Sequence, residues 1–218
     1  MGRVHLPTAS GERIACWITP GTGGCGVVFA GGFRSVCAGT KATTFEARAR
    51  AAGLPYARFD YRGIGASEGD FEATTLGREI EDLGSVVERL AAAGGAAGRP
   101  GPERVVVIGS SLGAMVALRY AQERPHRVAA LVLVAPAFDF FERRERYLGA
   151  AALARWRRQG VVELTDLEGV PFRLRYRFLE EGLAHQERVW SGGLPCPAEL
   201  FHGTADEIVP LAVAERFA

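Results

Sequence analysis

Short runs of apolar residues, bounded by glycine or proline, alternate along this chain with longer segments in which apolar residues recur at helical spacing. Strands buried on both faces read as nearly unbroken apolar runs, and parallel strands need a crossover of a dozen or more residues between them. The alternation therefore predicts an α/β protein: a mostly parallel sheet with helices on both faces. Strands are predicted at 13–19, 26–30, 56–61, 104–109, 129–135 and 198–202, and helices at 41–52, 76–90 and 112–124. In the second helix Leu76, Ile80, Leu83, Val87 and Leu90 make a single apolar stripe, and the third stops before Pro125. Glycine, alanine and proline dominate 91–102, which predicts a surface loop.

A chain of 218 residues fits one large domain more easily than two small ones, and 48% hydrophobic residues supply a core without disulfides or metals. Lysine and arginine total 26 against 25 acidic residues, a net charge of +1, so no global field draws the protein to nucleic acid or to an anionic membrane. Lys41 is the one lysine. Cys16, Cys25, Cys37 and Cys196 show no metal-finger spacing, and His5, His126, His185 and His202 are scattered, so neither a metal nor a cofactor is expected. No apolar run approaches the roughly 20 residues of a membrane span, and the start of the chain lacks a secretory signal. A reducing, cytoplasmic compartment and a small-molecule partner are the expectation.

Nearly sixty residues, 138–195, separate the last two predicted strands, where connections of about 4–6 residues are usual. That length predicts a lid inserted into a single domain spanning 1–218. Its first part, 142–159, reads as a charge-rich helix. Arg173, Arg175 and Arg177 then alternate with Leu174, Tyr176 and Phe178, so an extended 172–178 would carry one basic and one apolar face before a final helix to Val189. If the basic face lies near the site, Arg175 is a candidate for holding an acidic group of a substrate; otherwise these arginines keep an edge strand in water.

The chemistry enters at Val105–Ile108, which run directly into Gly109-Ser110-Ser111-Leu112-Gly113 and then into helical sequence. This is G-x-S-x-G between a strand and a helix. The turn is so tight that the flanking positions must lack side chains, and it lifts the serine above the sheet at a helix N-terminus. Ser111 is the candidate nucleophile; Ser110, one residue earlier, would point into the sheet. A serine hydroxyl needs a base and donors for the developing oxyanion. The strand ending in Gly31-Gly32-Phe33 suggests the amides of Phe33 and Leu112 as that hole. Asp206, in the turn after the last strand, is the candidate acid that orients a base, with Asp139 in reserve; His202, on the strand four residues earlier, is expected to be structural.

The Gly31–Phe33 turn, Gly39-Thr40-Lys41-Ala42, the string Asp60-Tyr61-Arg62-Gly63-Ile64-Gly65-Ala66-Ser67-Glu68-Gly69, the Ser111 elbow and the Asp206 turn together resemble the α/β-hydrolase superfamily. Within it they are most similar to the branch of mitochondrial palmitoyl-protein thioesterases and acyl-glucuronide esterases with their bacterial relatives. The resemblance implies the α/β-hydrolase fold and hydrolysis of an acyl ester or thioester through an acyl-serine intermediate. It also implies that Asp60 and Arg62 brace the turn beside the site rather than take part in the chemistry.

The family places its base histidine one helix and one strand after the acid, roughly 25 residues on. Only 12 residues follow Asp206, and none is histidine. The expectation is a chain that stops short of its last strand, its last helix and its base. The competing expectations are a hydrolase-like binding protein with an unactivated serine, and an acyltransferase using the same residues.

Overall fold

The computed structural model describes residues 2–93, 101–166 and 169–218. Seven strands form one sheet in the order β1-β2-β4-β3-β5-β6-β9. They are β1 (Gly2–Pro7), β2 (Arg13–Thr19), β3 (Gly26–Ala30), β4 (Tyr56–Phe59), β5 (Val105–Ser110), β6 (Val128–Val134) and β9 (Ala198–Phe201). From β4 through β9 the neighbours are parallel; the β1–β2 hairpin and the β2–β4 pair are antiparallel. Helices α1 (Thr40–Ala51), α2 (Leu76–Ala92) and α3 (Leu112–Glu123) are the crossovers.

The strand pleat sorts the core into two layers. On β3, Val27 and Phe29 face one side, where they pack with Ala42 and Ala49 of α1, while Val28 and Ala30 belong to the larger cluster with α2 and α3. All five residues of the predicted α2 stripe are buried in that cluster, and the Thr75 hydroxyl caps the helix by accepting from the Arg78 N–H at 3.2 Å. The expected strand at 56–61 ends at Phe59, because Asp60 turns its carboxylate to backbone N–H groups of two loops. Helix α2 takes residues 91 and 92 from the expected loop at 91–102, of which 94–100 lie outside the described residues.

Between β6 and β9 the insertion folds as α4 (Phe140–Gln159), an antiparallel pair β7 (Val161–Thr165) and β8 (Pro171–Arg175), and α5 (Tyr176–Ser191). Helix α4 kinks at Gly149, whose φ of 73° breaks the helical backbone. The expected extended stretch at 172–178 is cut short, since Tyr176, Arg177 and Phe178 already belong to α5. Buried Trp156 ties α4 to β8 by donating from Nε1 to the Leu174 carbonyl at 3.0 Å. Helix α5 is fastened to the body, its Glu181 carboxylate accepting the Gly77 N–H at 2.7 Å. The chain closes with α6 (Leu211–Phe217), and the Phe217 ring packs on Phe138 with centroids 4.4 Å apart.

Beneath the sheet end, Glu79 and Asp82 of α2 are buried beside Tyr61 and Arg62. Asp82 accepts from the Arg62 backbone at 2.9 Å and from its guanidinium at 2.5 Å. Glu79 has only the Thr74 hydroxyl, at 3.5 Å. Burial, with the Asp82 charge adding to it, raises Glu79 to about 8, whereas Asp82 is raised to about 6 against the pull of Arg62. The fold therefore holds Glu79 protonated at neutral pH. Because its folded pKa lies above the ordinary 4.5, the unfolded chain releases this proton first as pH rises, and stability falls between about 4.5 and 8. Glu79→Gln should remove that slope, gaining about 4 kcal/mol over wild type at pH 8 and little at pH 4.5. Denaturant melts of both proteins at the two pH values test this; parallel pH profiles would show Glu79 to be ionised in the fold.

Candidate active site

Ser111 sits between β5 and α3 with φ 56° and ψ −122°, a left-handed conformation that a residue with a side chain adopts only under constraint. The constraint is contact. A Cβ at Gly113 would lie 2.2 Å from the Gly31 carbonyl oxygen and 2.3 Å from that of Ala30, and one at Gly109 would lie 2.5 Å from the Ala114 Cα. The start of α3 thus rests on the end of β3 with no room for a methyl group. Ser110 is buried and pairs with β6, as its position one residue earlier requires.

Among the described residues, neither the Phe33 nor the Leu112 N–H donates a hydrogen bond, although Leu112 is fully buried. Unpaired buried donors are rare, so these two amides are suited to receive an oxygen. Phe33 and Ser111 line the same cleft, of about 1140 Å³. The Phe33 ring is held by four others, Phe71, Phe140, Phe172 and Phe178, with centroids 5.3 to 5.7 Å away. Three of these belong to the insertion.

Asp206 follows β9 as Ser111 follows β5, and since the strands are parallel both turns lie at one end of the sheet. The neighbours Glu207, Ile208 and Val209 line the Ser111 cleft. One Asp206 oxygen accepts the Ile208 and Val209 N–H groups, each at 2.9 Å, and these bonds, Val209 first, hold the carboxyl below its ordinary range. The other oxygen lies 3.9 Å from His202 Nε2, which is itself 2.8 Å from the Val209 carbonyl. His202 therefore braces the turn. Asp139, the reserve carboxylate, is buried at the start of α4 with its Oδ1 3.1 Å from Arg143 Nε.

None of the four histidines lines the cleft. His5 is exposed on the edge strand β1, and His126 precedes β6, at the opposite end of the sheet from Ser111. His185 accepts from Arg119 Nε at 3.2 Å on the far side of α3, where burial and the Arg119 charge lower its pKa.

The expected basic face of the insertion does not reach the site. Phe172 and Leu174 point inward, and Phe172 lines the cleft, but Arg173 and Arg175 point outward and share Glu72 at 3.2 and 3.3 Å. Arg177, on α5, pairs with Glu181 instead. The arginines that do line the cleft are Arg34, Arg143 and Arg144, which a charge-rich helical sequence does not single out. Asp60 and Arg62 brace backbone: Asp60 accepts the Cys37 N–H at 2.7 Å and the Ala66 N–H at 2.9 Å. Among the described residues no cluster of His, Cys, Asp and Glu suits a metal ion, and no helix is long and apolar enough to cross a membrane.

Gly113→Ala should cost about 2–4 kcal/mol and displace Ser111, because both close neighbours are backbone that cannot turn away. A denaturant midpoint unchanged from wild type would show that the elbow has slack.

Comparison with known proteins agrees with this geometry. Residues 27–166 match the family model described as Hydrolase_4, serine aminopeptidase, S33. The palmitoyl-protein thioesterase ABHD10, mitochondrial, of Mus musculus is 33% identical over 99% of this chain and 69% of its own length. The Homo sapiens protein of the same name is 33% identical over 88% of this chain, which spans 61% of that relative's length. Among solved structures, the mouse alpha/beta hydrolase domain-containing protein 10 superposes with a TM-score of 0.83 at 28% identity, covering 100% of this chain and 83% of that one. A protein from Agrobacterium vitis S4 superposes with a TM-score of 0.84 at 29% identity, covering 99% and 83%. With its sheet order, its serine elbow and these matches, the chain belongs to the Hydrolase_4 (serine aminopeptidase, S33) family and has the α/β-hydrolase fold.

Proposed function

We propose that this chain carries the core of a serine hydrolase that cleaves carboxylic esters or thioesters through an acyl-serine intermediate. The observation that carries the proposal is Ser111 in a strained turn, with Phe33, whose amide is unpaired among the described residues, on the same cleft and the unpaired amide of Leu112 next to the serine in the chain. In this reading the Ser111 hydroxyl oxygen attacks the acyl carbon while a base takes its proton, and the carbonyl oxygen becomes an oxyanion that the two amides receive. Collapse expels the alcohol or thiol, which takes the proton back, and water then repeats the sequence on the acyl-serine. Asp206, ionised and fixed by two backbone donors, would orient the base histidine. That histidine is none of His5, His126, His185 and His202, all of which lie off the cleft.

The thioesterase names of the ABHD10 relatives support a thioester among the substrates. The four unpaired cysteines fit the reducing, cytoplasmic compartment that this reading retains. The off-cleft histidines equally favour a second reading, a domain that binds a small acyl compound without cleaving it.

Full-length protein should hydrolyse p-nitrophenyl acyl esters and acyl thioesters, and Ser111→Ala should lower kcat by at least about 1000-fold with folding intact. Replacing His5, His126 and His185 by glutamine in turn should leave the rate within about twofold. Equal turnover by the Ser111→Ala protein would remove the nucleophile assignment, and absence of turnover in the parent would favour the binding reading.

A further inference from the structure

Arg144, on the first turns of α4, is a cation in the Ser111 cleft with no anionic partner among the described residues. Its guanidinium lies against the Phe33–Phe140 ring pair, 5.4 Å from the Phe33 centroid and 5.0 Å from that of Phe140, the two rings being 5.3 Å apart. Its Nε is buried with no hydrogen-bond partner. The other arginines of the cleft are engaged: Arg34 with Asp166 at 2.6 Å, and Arg143 with Asp139 and the Ile208 carbonyl. Among the described residues, the ionisable ones on the cleft wall are Arg34, Lys41, Arg143 and Arg144 against Asp166 and Glu207, an excess of positive charge.

A half-buried guanidinium whose Nε is shut off from water and lacks a counter-ion is costly, and the cost is relieved by an anion that completes its planar donor fork. Burial, with Arg143 nearby, already pulls the Arg144 pKa below the ordinary guanidinium value, which is the mark of a charge lacking compensation. Contact with both rings limits where the guanidinium can sit, so less side-chain freedom remains to be lost when an anion binds.

We infer that Arg144 is a specificity-determining residue that binds a carboxylate on the substrate, so that the site prefers anionic esters or thioesters to neutral ones. The inference rests on the hydrolase reading for its substrate class.

Two matched substrate pairs test this in full-length protein. Mono-p-nitrophenyl glutarate and p-nitrophenyl pentanoate place or omit a carboxylate on the acyl side. The 4-carboxyphenyl and 4-carbamoylphenyl pentanoates do so on the leaving group. In at least one pair kcat/KM should favour the anion by about tenfold or more, Arg144→Met should abolish that preference while keeping the neutral rate within about threefold, and Arg144→Lys should restore part of it. If no ester is turned over, calorimetry on the Ser111→Ala protein with monomethyl glutarate and methyl pentanoate decides the matter, with the same Arg144-dependent preference expected in Kd. Failure of hydrolysis with a retained binding preference would fault the hydrolase reading alone. No anionic preference in either pair or in calorimetry, or a preference that Arg144→Met leaves unchanged, overturns the role of Arg144.

Discussion

The structure turns on one close approach: the backbone of Gly113 at the start of α3 lies against the carbonyl groups of Ala30 and Gly31 at the end of β3. Neighbouring parallel strands fix where β3 and β5 end, and the contact leaves the chain a single sharp path from β5 into α3. Ser111 is forced to positive φ on that path, where a residue with a Cβ bears about 1–2 kcal/mol of strain. The same contact brings the Gly31–Phe33 turn beside the serine. The candidate nucleophile and the candidate oxyanion donors are thus placed by backbone packing, which no rotamer change can undo.

The insertion depends on that placement through one side chain. Phe33 lines the cleft, and its ring lies at the centre of Phe71, Phe140, Phe172 and Phe178. Each aromatic pair contributes roughly 0.5–1.5 kcal/mol beyond the area it buries, so the loop and the insertion form one packed unit. Helix α5, bonded to Gly77 and Arg119 on the body, resists swinging away as a free flap.

Much of this was legible in the sequence where a local signal is unambiguous. The bounds of β2 and β3 follow from the turn residues around them, and the elbow from two glycines that only a strand-to-helix turn explains. Strand β1 was not legible, since Val4 and Leu6 alone face inward and its partner supplies the reason to be extended. Strand β7 was hidden likewise inside an insertion read for its charge. The alternation from Phe172 reads as one strand throughout, yet α5 begins at Tyr176 because Phe178 and Leu179 turn into the aromatic core, a tertiary preference that overrides the local period. The same limit hid Arg144: a run of glutamates and arginines does not reveal which one a partner loop will cover.

The distribution of arginine follows from the same geometry. The chain has 25 arginines beside Lys41, and the buried ones meet several groups at once. Arg58 donates to Glu46 and to the Cys37 carbonyl while stacking on Trp17. Arg62 joins Asp82, Glu81, Ser10 and the Arg78 carbonyl. A planar guanidinium can serve such divergent partners from one rigid fork, where an ammonium group would meet them as a single point charge. In both cases the fork joins loops at the end of the sheet where Ser111 lies. Arg144 touches the Phe33 and Phe140 rings and lines the cleft, but among the described residues it has no carboxylate partner and its buried Nε has no acceptor, which separates it from the bracing arginines. At Arg58 and Arg62 the fold closes the fork with its own carboxylates, whereas the role proposed for Arg144 leaves the acceptor to the substrate.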